Sequence, residues 1–190
     1  MAQGGHEPFP ANAGVATPEE LIGQAYQSLD LALRAELIER ILQKEPDFFE
    51  QLIVNLLVAI GYGGSHDDAA AKLGKSGDGG VDGAINQDLL GLERVYVQAK
   101  RCASAIPIGR PALQAFVGSL VGFGASKGVF VTTSSFTAQA VGYADQVPQR
   151  VALIDGQRLA ELLIRYKVGA RTGRTIELKE LDENYVADEE

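Results

Sequence analysis

The sequence predicts an α/β domain in which helices cover a sheet with some parallel pairing, preceded by one long N-terminal helix. Three observations carry this. Short apolar runs at Gly128–Thr132 and Val151–Ile154 alternate with helical patterns over Gly109–Phe123, Thr137–Val147 and Gly156–Tyr166. That succession builds parallel strands joined by helices. A glycine-rich turn, Gly77-Asp78-Gly79-Gly80-Val81-Asp82-Gly83, leads into one strand and, through a hairpin, into a second over Val95–Arg101. Thr17-Pro18-Glu19-Glu20 opens a helix: Thr17 suits the N-cap, Pro18 the first helical position, and Glu20 completes a capping box.

In chain order, residues 1–16 read as a disordered tail, rich in glycine, proline and alanine. Residues 17–45 form a helical arm. Leu21, Ala25, Leu29, Ala32 and Leu33, then Leu37, Ile38, Ile41 and Leu42, recur at helical spacing. Such a stripe packs either on its own domain or on a second copy of the chain, and the first is the expectation. Pro46-Asp47 restarts the helix. Asp47–Ile60 is apolar on nearly all sides, which predicts burial, and Gly61-Tyr62-Gly63-Gly64 ends it. Ala69–Leu73 reads as a short edge strand. Residues 46–170 make up the main domain. Residues 171–190 are expected to add an edge strand at Thr175–Leu178 and then an acidic tail.

A chain of 190 residues suits one domain with an added arm. Cys102 is the only cysteine, so no intrachain disulfide forms, and with two histidines, His6 and His66, a Cys/His zinc cluster is excluded. No apolar run reaches the ~18 residues that a spanning helix needs, and Met1–Gly14 lacks the pattern of a signal peptide. No membrane association and a cytoplasmic location are the expectations. The net charge of −8 is uneven: residues 1–60 hold 3 basic and 9 acidic groups, whereas residues 61–110 hold 6 of each. The segment carrying the glycine-rich turn is the least acidic. That balance argues against a nonspecific nucleic-acid coat but leaves room for basic groups and a metal gathered in a cleft.

Gly74-Lys75-Ser76 invites a phosphate-loop reading, but the glycine that the pattern needs five residues earlier is Ala69, and Gly77, Gly79 and Gly80 break any following helix. The emphasis therefore moves to Asp82, Gln98 and Lys100. Residues two apart on a strand share a face, so Gln98 and Lys100 project together, and the hairpin brings Asp82 alongside. A solvent-facing polar strand explains Gln98 and Lys100; it does not explain an aspartate on the neighbouring strand sharing their face. One carboxylate, one amide carbonyl and one ammonium suit a hard dication such as Mg²⁺, with Mn²⁺ as substitute, and an anionic substrate. Glu50 either joins this set or closes a capping box with Asp47. Thr132-Thr133-Ser134-Ser135 either presents hydroxyls to a phosphate or caps the helix near Thr137.

The order Phe49-Glu50, Leu56-Leu57, Gly61-Tyr62, Gly77–Gly83 and Val97-Gln98-Ala99-Lys100-Arg101, followed by Gln114, Gly118, Lys127–Thr133 and Ile154-Asp155-Gly156, resembles the catalytic domain of Mrr-type restriction endonucleases. These belong to the PD-(D/E)xK nucleases, in a branch with glutamine before x-Lys. The resemblance covers roughly residues 47–169. It implies a restriction-endonuclease-like three-layer core with a central mixed sheet, and a metal-dependent endonuclease that hydrolyses DNA, modified DNA in particular. It also implies Asp82, Gln98 and Lys100 as catalytic positions, with Glu50 as the helix glutamate beside the metal. Lys75, Arg101, Arg110 and Gln114 are the candidate DNA contacts, with Lys72 a further basic neighbour. The rival reading is a catalytically weak or inactive DNA-binding module of the same fold. The long helix is the candidate surface for a homodimer.

Overall fold

The computed structural model describes residues 16–63, 80–88, 92–182 and 185. Helix α1 (Pro18–Leu42) is followed by α2 (Pro46–Ile60), then the strands β1 (Gly83–Asn86) and β2 (Arg94–Lys100). Helix α3 (Arg110–Gly122), β3 (Lys127–Thr132), α4 (Ala138–Gln146), β4 (Arg150–Ile154) and α5 (Gly156–Arg165) complete the order. The strands form one mixed sheet in the order β1-β2-β3-β4. β1 pairs antiparallel with β2, Gly83 opposite Val97, while β2–β3 and β3–β4 are parallel, with Lys100 opposite Thr132 and Val131 opposite Ile154.

Alternation along the strands sends side chains to two cores. On one face Ile85, Val97, Val129 and Val131 pack with Phe49, Ile53 and Leu56 of α2 and Leu159 and Leu163 of α5. On the other, Phe130 packs with Leu113, Phe116 and Leu120 of α3 and Ala140 and Ala144 of α4. The result is three layers. β3 is buried on both faces, as an apolar strand within parallel pairs must be. Gly128 is dictated by packing: a Cβ there would sit 2.7 Å from the Phe116 ring, so α3 lies close against the sheet.

Helix α1 begins as its sequence predicts. Glu20 N–H donates to Thr17 Oγ1 at 3.2 Å, and Thr17 N–H donates to Glu20 Oε2 at 2.8 Å. Its packing differs from expectation. Ile41 is its one fully buried residue, with Ile38 partly covered, and the helix touches the core only through its C-terminal half, against α5. Upstream, Leu21, Ile22, Tyr26 and Leu29 are exposed.

Helix α2 starts one residue earlier than predicted. Glu45 is its N-cap, Pro46 takes the first helical position, and no side chain caps it. Proline is preorganised for that position, which moves Asp47 inside the helix and dissolves the proposed Asp47–Glu50 capping box. Six residues of α2, Phe49, Leu52, Ile53, Val54, Leu56 and Leu57, are buried as expected, although Phe48 is 43% exposed. Gly61 ends it in the left-handed region, at φ 118°. The expected edge strand at Thr175–Leu178 does not form: residues 169–182 are irregular, and Ile176 and Leu178 are exposed. Two apolar side chains in a polar segment bury too little surface to hold a strand on the sheet edge. The expected strand at Ala69–Leu73 lies outside the described residues.

Candidate active site

The C-terminal end of β2 gathers the candidate groups. Asp82 sits one residue ahead of β1 rather than on it, and its N–H donates to the Val97 carbonyl at 2.9 Å, which extends the β1–β2 ladder by one step. That step brings the carboxylate to β2. Gln98 Nε2 lies 3.0 Å from each Asp82 oxygen, and Ala99 N–H donates to Asp82 Oδ2 at 2.5 Å. The expected juxtaposition of Asp82 with Gln98 is therefore present, with one difference. The amide nitrogen faces the carboxylate, not the carbonyl oxygen, because an ionised carboxylate can only accept. A half-turn of the terminal torsion would present Oε1 instead.

Glu50, on the second turn of α2, is half-buried and close enough to Asp82 to feel its charge. Burial raises the Glu50 pKa most, and the Asp82 and Asp47 charges raise it further. Burial also raises the Asp82 pKa, opposed by the Ala99 and Gln98 hydrogen bonds. Neither acid forms an ion pair among the described residues. Two carboxylates, one of them disfavoured in its ionised form by the charge of the other, with an adjacent amide and no neutralising cation, form a donor set suited to a hard dication. Among the described residues no group of three or more His, Cys, Asp or Glu side chains could hold a metal, so any ion here would take much of its coordination from water and substrate oxygens.

Lys100 ends β2 and is exposed, on the same strand face as Gln98. It makes no ion pair among the described residues. Arg101 turns back, and its Nη1 donates to the Leu42 carbonyl at 3.3 Å, tying β2 to the C-terminus of α1. Arg110, the first residue of α3, stacks over the Tyr143 ring at 5.1 Å and stays exposed, as does Gln114 one turn on. Lys75, Lys72 and the first three residues of the glycine-rich turn, 77–79, lie outside the described residues, as does His66.

Three of the four hydroxyls in the run at the end of β3 depart from both of their expected uses. Thr137 caps α4 with its own side chain, 3.2 Å from Ala140 N. Thr132, Thr133 and Ser134 are buried and bonded to backbone, so they are not offered to a phosphate. Thr132 closes β3 itself, and hydroxyls buried there must find partners indoors.

Residues 41–163 match a family model described as restriction endonuclease, the Mrr catalytic domain. The type IV methyl-directed restriction enzyme EcoKMrr of Escherichia coli (strain K12) is 44% identical over 170 residues, which is 90% of this chain and 54% of that protein. The chain thus spans about half the length of the curated relative it matches. Among solved structures, the MspJI restriction endonuclease in complex with a 27-mer oligonucleotide superposes with a TM-score of 0.54 at 27% identity, over 84% of this chain and 36% of that one.

Proposed function

The chain belongs to the restriction endonuclease family defined by the Mrr catalytic domain, and from that membership we propose that it hydrolyses DNA phosphodiester bonds as a metal-dependent endonuclease. The observation that supports the proposal is the Asp82 carboxylate held against Gln98 and Ala99 at the end of the strand that presents Lys100, with Glu50 near enough for the Asp82 charge to raise its pKa. Mg²⁺ is the proposed ion, with Mn²⁺ able to replace it. Asp82 and Glu50 would hold it, joined by Gln98 once the amide turns its oxygen inward. When bound, such an ion stabilises charge on the attacking and leaving oxygens of an in-line displacement. The chain's own groups do the rest. Ala99 N–H fixes the Asp82 carboxylate. Lys100 acts on the attacking water or on the charge that grows on the phosphate. Hydrolysis proceeds without a covalent enzyme intermediate. Arg110 and Gln114 contact the DNA backbone, with Arg101 and Lys75 nearby in sequence.

The relative's methyl-directed action supports modified DNA as the substrate class. Cytoplasm, expected from the sequence, is the proposed compartment, and a homodimer formed through α1 is the proposed assembly. Cleavage of supercoiled plasmid with Mg²⁺ tests the core claim. Lys100→Ala, folded by circular dichroism, should lose about 10²–10⁴-fold in rate, the usual range for one acid–base or charge-stabilising group. Undiminished cleavage overturns the assignment.

One observation favours a second reading, a DNA-binding module without turnover. Gln98 already satisfies both Asp82 oxygens, and its neutrality leaves the site with two carboxylates. Titration calorimetry with Mn²⁺ separates the readings: binding that vanishes in Asp82→Asn supports the enzyme, and no binding even with DNA present supports the module.

A further inference from the structure

We propose that Thr133, supported by Ser134, is a positioning residue for Lys100. The inference rests on the nuclease reading above. Among the described residues the buried polar side chains are Thr132, Thr133 and Ser134, at 0%, 2% and 5% exposure. They are consecutive, and they stand where β2 leaves the sheet. The β2–β3 ladder ends at Lys100 opposite Thr132. One step further, the Thr133 hydroxyl takes over from the ladder. Cys102 N–H donates to Thr133 Oγ1 at 2.9 Å, and Thr133 Oγ1 donates to the Cys102 carbonyl at 2.6 Å. One side chain thus satisfies both backbone groups of the residue two places after Lys100.

The grip continues along the loop. Ser134 Oγ lies 2.7 Å from the Ile106 carbonyl and 3.3 Å from that of Ser104, and its single proton serves the nearer. Ile108 N–H donates to the Ser135 carbonyl at 2.7 Å. The opposite side is held as firmly. Gly156 N–H donates to the Ser134 carbonyl at 2.8 Å, and a Cβ at position 156 would fall 2.4 Å from the Thr133 carbonyl oxygen. Thr133 is therefore clamped between the first turn of α5 and the exit of β2.

The physical consequence concerns aim. Lys100 is exposed and has no ion pair among the described residues, so nothing at the tip of its side chain sets its direction. Its backbone must. On its N-terminal side that backbone is set by the ladder, and on its C-terminal side by Cys102, through Thr133. A buried hydroxyl that pairs both backbone polar groups of one residue is costly to remove, because both then lose their partner. Small displacements of a catalytic group lower rates far more than they lower binding.

The test compares Thr133→Val, which keeps the shape and deletes the hydroxyl, with Thr133→Ser, which keeps the hydroxyl. Single-turnover cleavage of saturating duplex DNA with Mg²⁺ gives the rate constant, and DNA affinity is measured without metal. Thr133→Val should lose roughly 10- to 100-fold in the rate constant, with DNA affinity unchanged and faster amide exchange at Cys102. Thr133→Ser should restore most of the rate. Gly156→Ala leaves every hydroxyl in place and pushes Thr133 through its carbonyl; it should also slow cleavage, and it carries the test if Thr133→Val does not fold. A Thr133→Val protein that cleaves at the parental rate overturns the proposal, as does a Thr133→Ser protein that falls as far, or a loss confined to DNA affinity. A parental protein that binds DNA and never cleaves it overturns the nuclease reading itself, a result distinct from any difference among variants.

Discussion

At the scale of single residues, the candidate site holds two acids whose ionised forms folding disfavours. Burial and mutual repulsion raise the pKa of Glu50, and burial raises that of Asp82. An acid whose pKa is raised by folding holds its proton more readily in the native state. The ionised pair therefore weakens the metal-free fold above the raised values, and that weakness is relieved as pH falls through them. This is the reverse of a salt-bridged carboxylate. Glu50→Gln removes one charge from the pair without changing its shape. In chelator at neutral pH it should raise the melting temperature by roughly 1–3 °C, the shift that a fraction of a kcal/mol to one kcal/mol gives at this size. The gain should shrink toward zero as pH drops into the ordinary carboxylate range. The same variant should bind Mn²⁺ more weakly. A melting temperature lowered at neutral pH would mean that Glu50 is held by something other than its neighbour's charge. Much of this site was legible in the chain, because the i, i+2 spacing of Gln98 and Lys100 is a property of any strand. The proposed role of Glu50 was not. It turned on whether α2 starts at Pro46 or Asp47, and Glu45 standing as the cap frees Glu50 from the helix end.

At the scale of elements, local signals and tertiary packing part company in α1. Thr17-Pro18-Glu19-Glu20 specifies a helix start that forms as written. The apolar stripe behind it predicts packing that only the last turns achieve. Burial depends on the partner element, and the stripe alone does not name one. Strands fared similarly. Residues 128–132 were readable because a parallel strand buried on both faces is a continuous apolar run, and 151–154, a partly buried edge strand, by its short run of apolar residues. Thr175–Leu178 has strand-like composition, yet it is irregular, because composition says nothing about whether an edge accepts it. The inward hydroxyls of Thr133 and Ser134 were equally out of reach: their partners, Cys102 and Ile106, are 31 and 28 residues away. The split within α1 has a measurable result. Loss of a cap costs about 1 kcal/mol in helix stability. In Thr17→Ala that loss should fall on the exposed half alone. Amide exchange over residues 20–33 should speed up several-fold, while exchange near Ile41 and the global melting temperature stay within about a degree. Uniform destabilisation would show that the exposed half is coupled to the core after all.

At the scale of the whole molecule, the exposed half of α1 asks what covers it. Six of the sixteen large apolar side chains exposed among the described residues fall between Leu21 and Leu33. Four of these, Ile22, Tyr26, Leu29 and Leu33, follow the 4-3-4 spacing of a coiled-coil seam. An apolar strip of this kind on an otherwise acidic surface marks an interface more often than bare solvent exposure. A second copy of the chain meets two requirements together. Antiparallel α1 helices would match the same strip to itself, and a pair of domains would carry two sites, which suits cutting both strands of a duplex in one encounter. Since Arg101 fastens Leu42, at the end of α1, to the exit of β2, a pair formed through α1 would also set the separation of the two sites. The parental chain should therefore sediment as a dimer at micromolar concentration. Tyr26→Lys with Leu29→Lys, two charges placed in the seam, should yield monomers of unchanged fold, because an unpaired charge buried in an apolar interface is strongly disfavoured. The accompanying change in cleavage separates assembly from chemistry. Monomers should still nick supercoiled plasmid, since each domain keeps Asp82, Glu50, Gln98 and Lys100, but the conversion of nicked circles to linear product should slow by about tenfold or more, because the second cut becomes a fresh encounter rather than an event within one complex. A parental chain that sediments as a monomer at these concentrations, or a double variant that linearises plasmid as fast as its parent, removes α1 as the dimer surface.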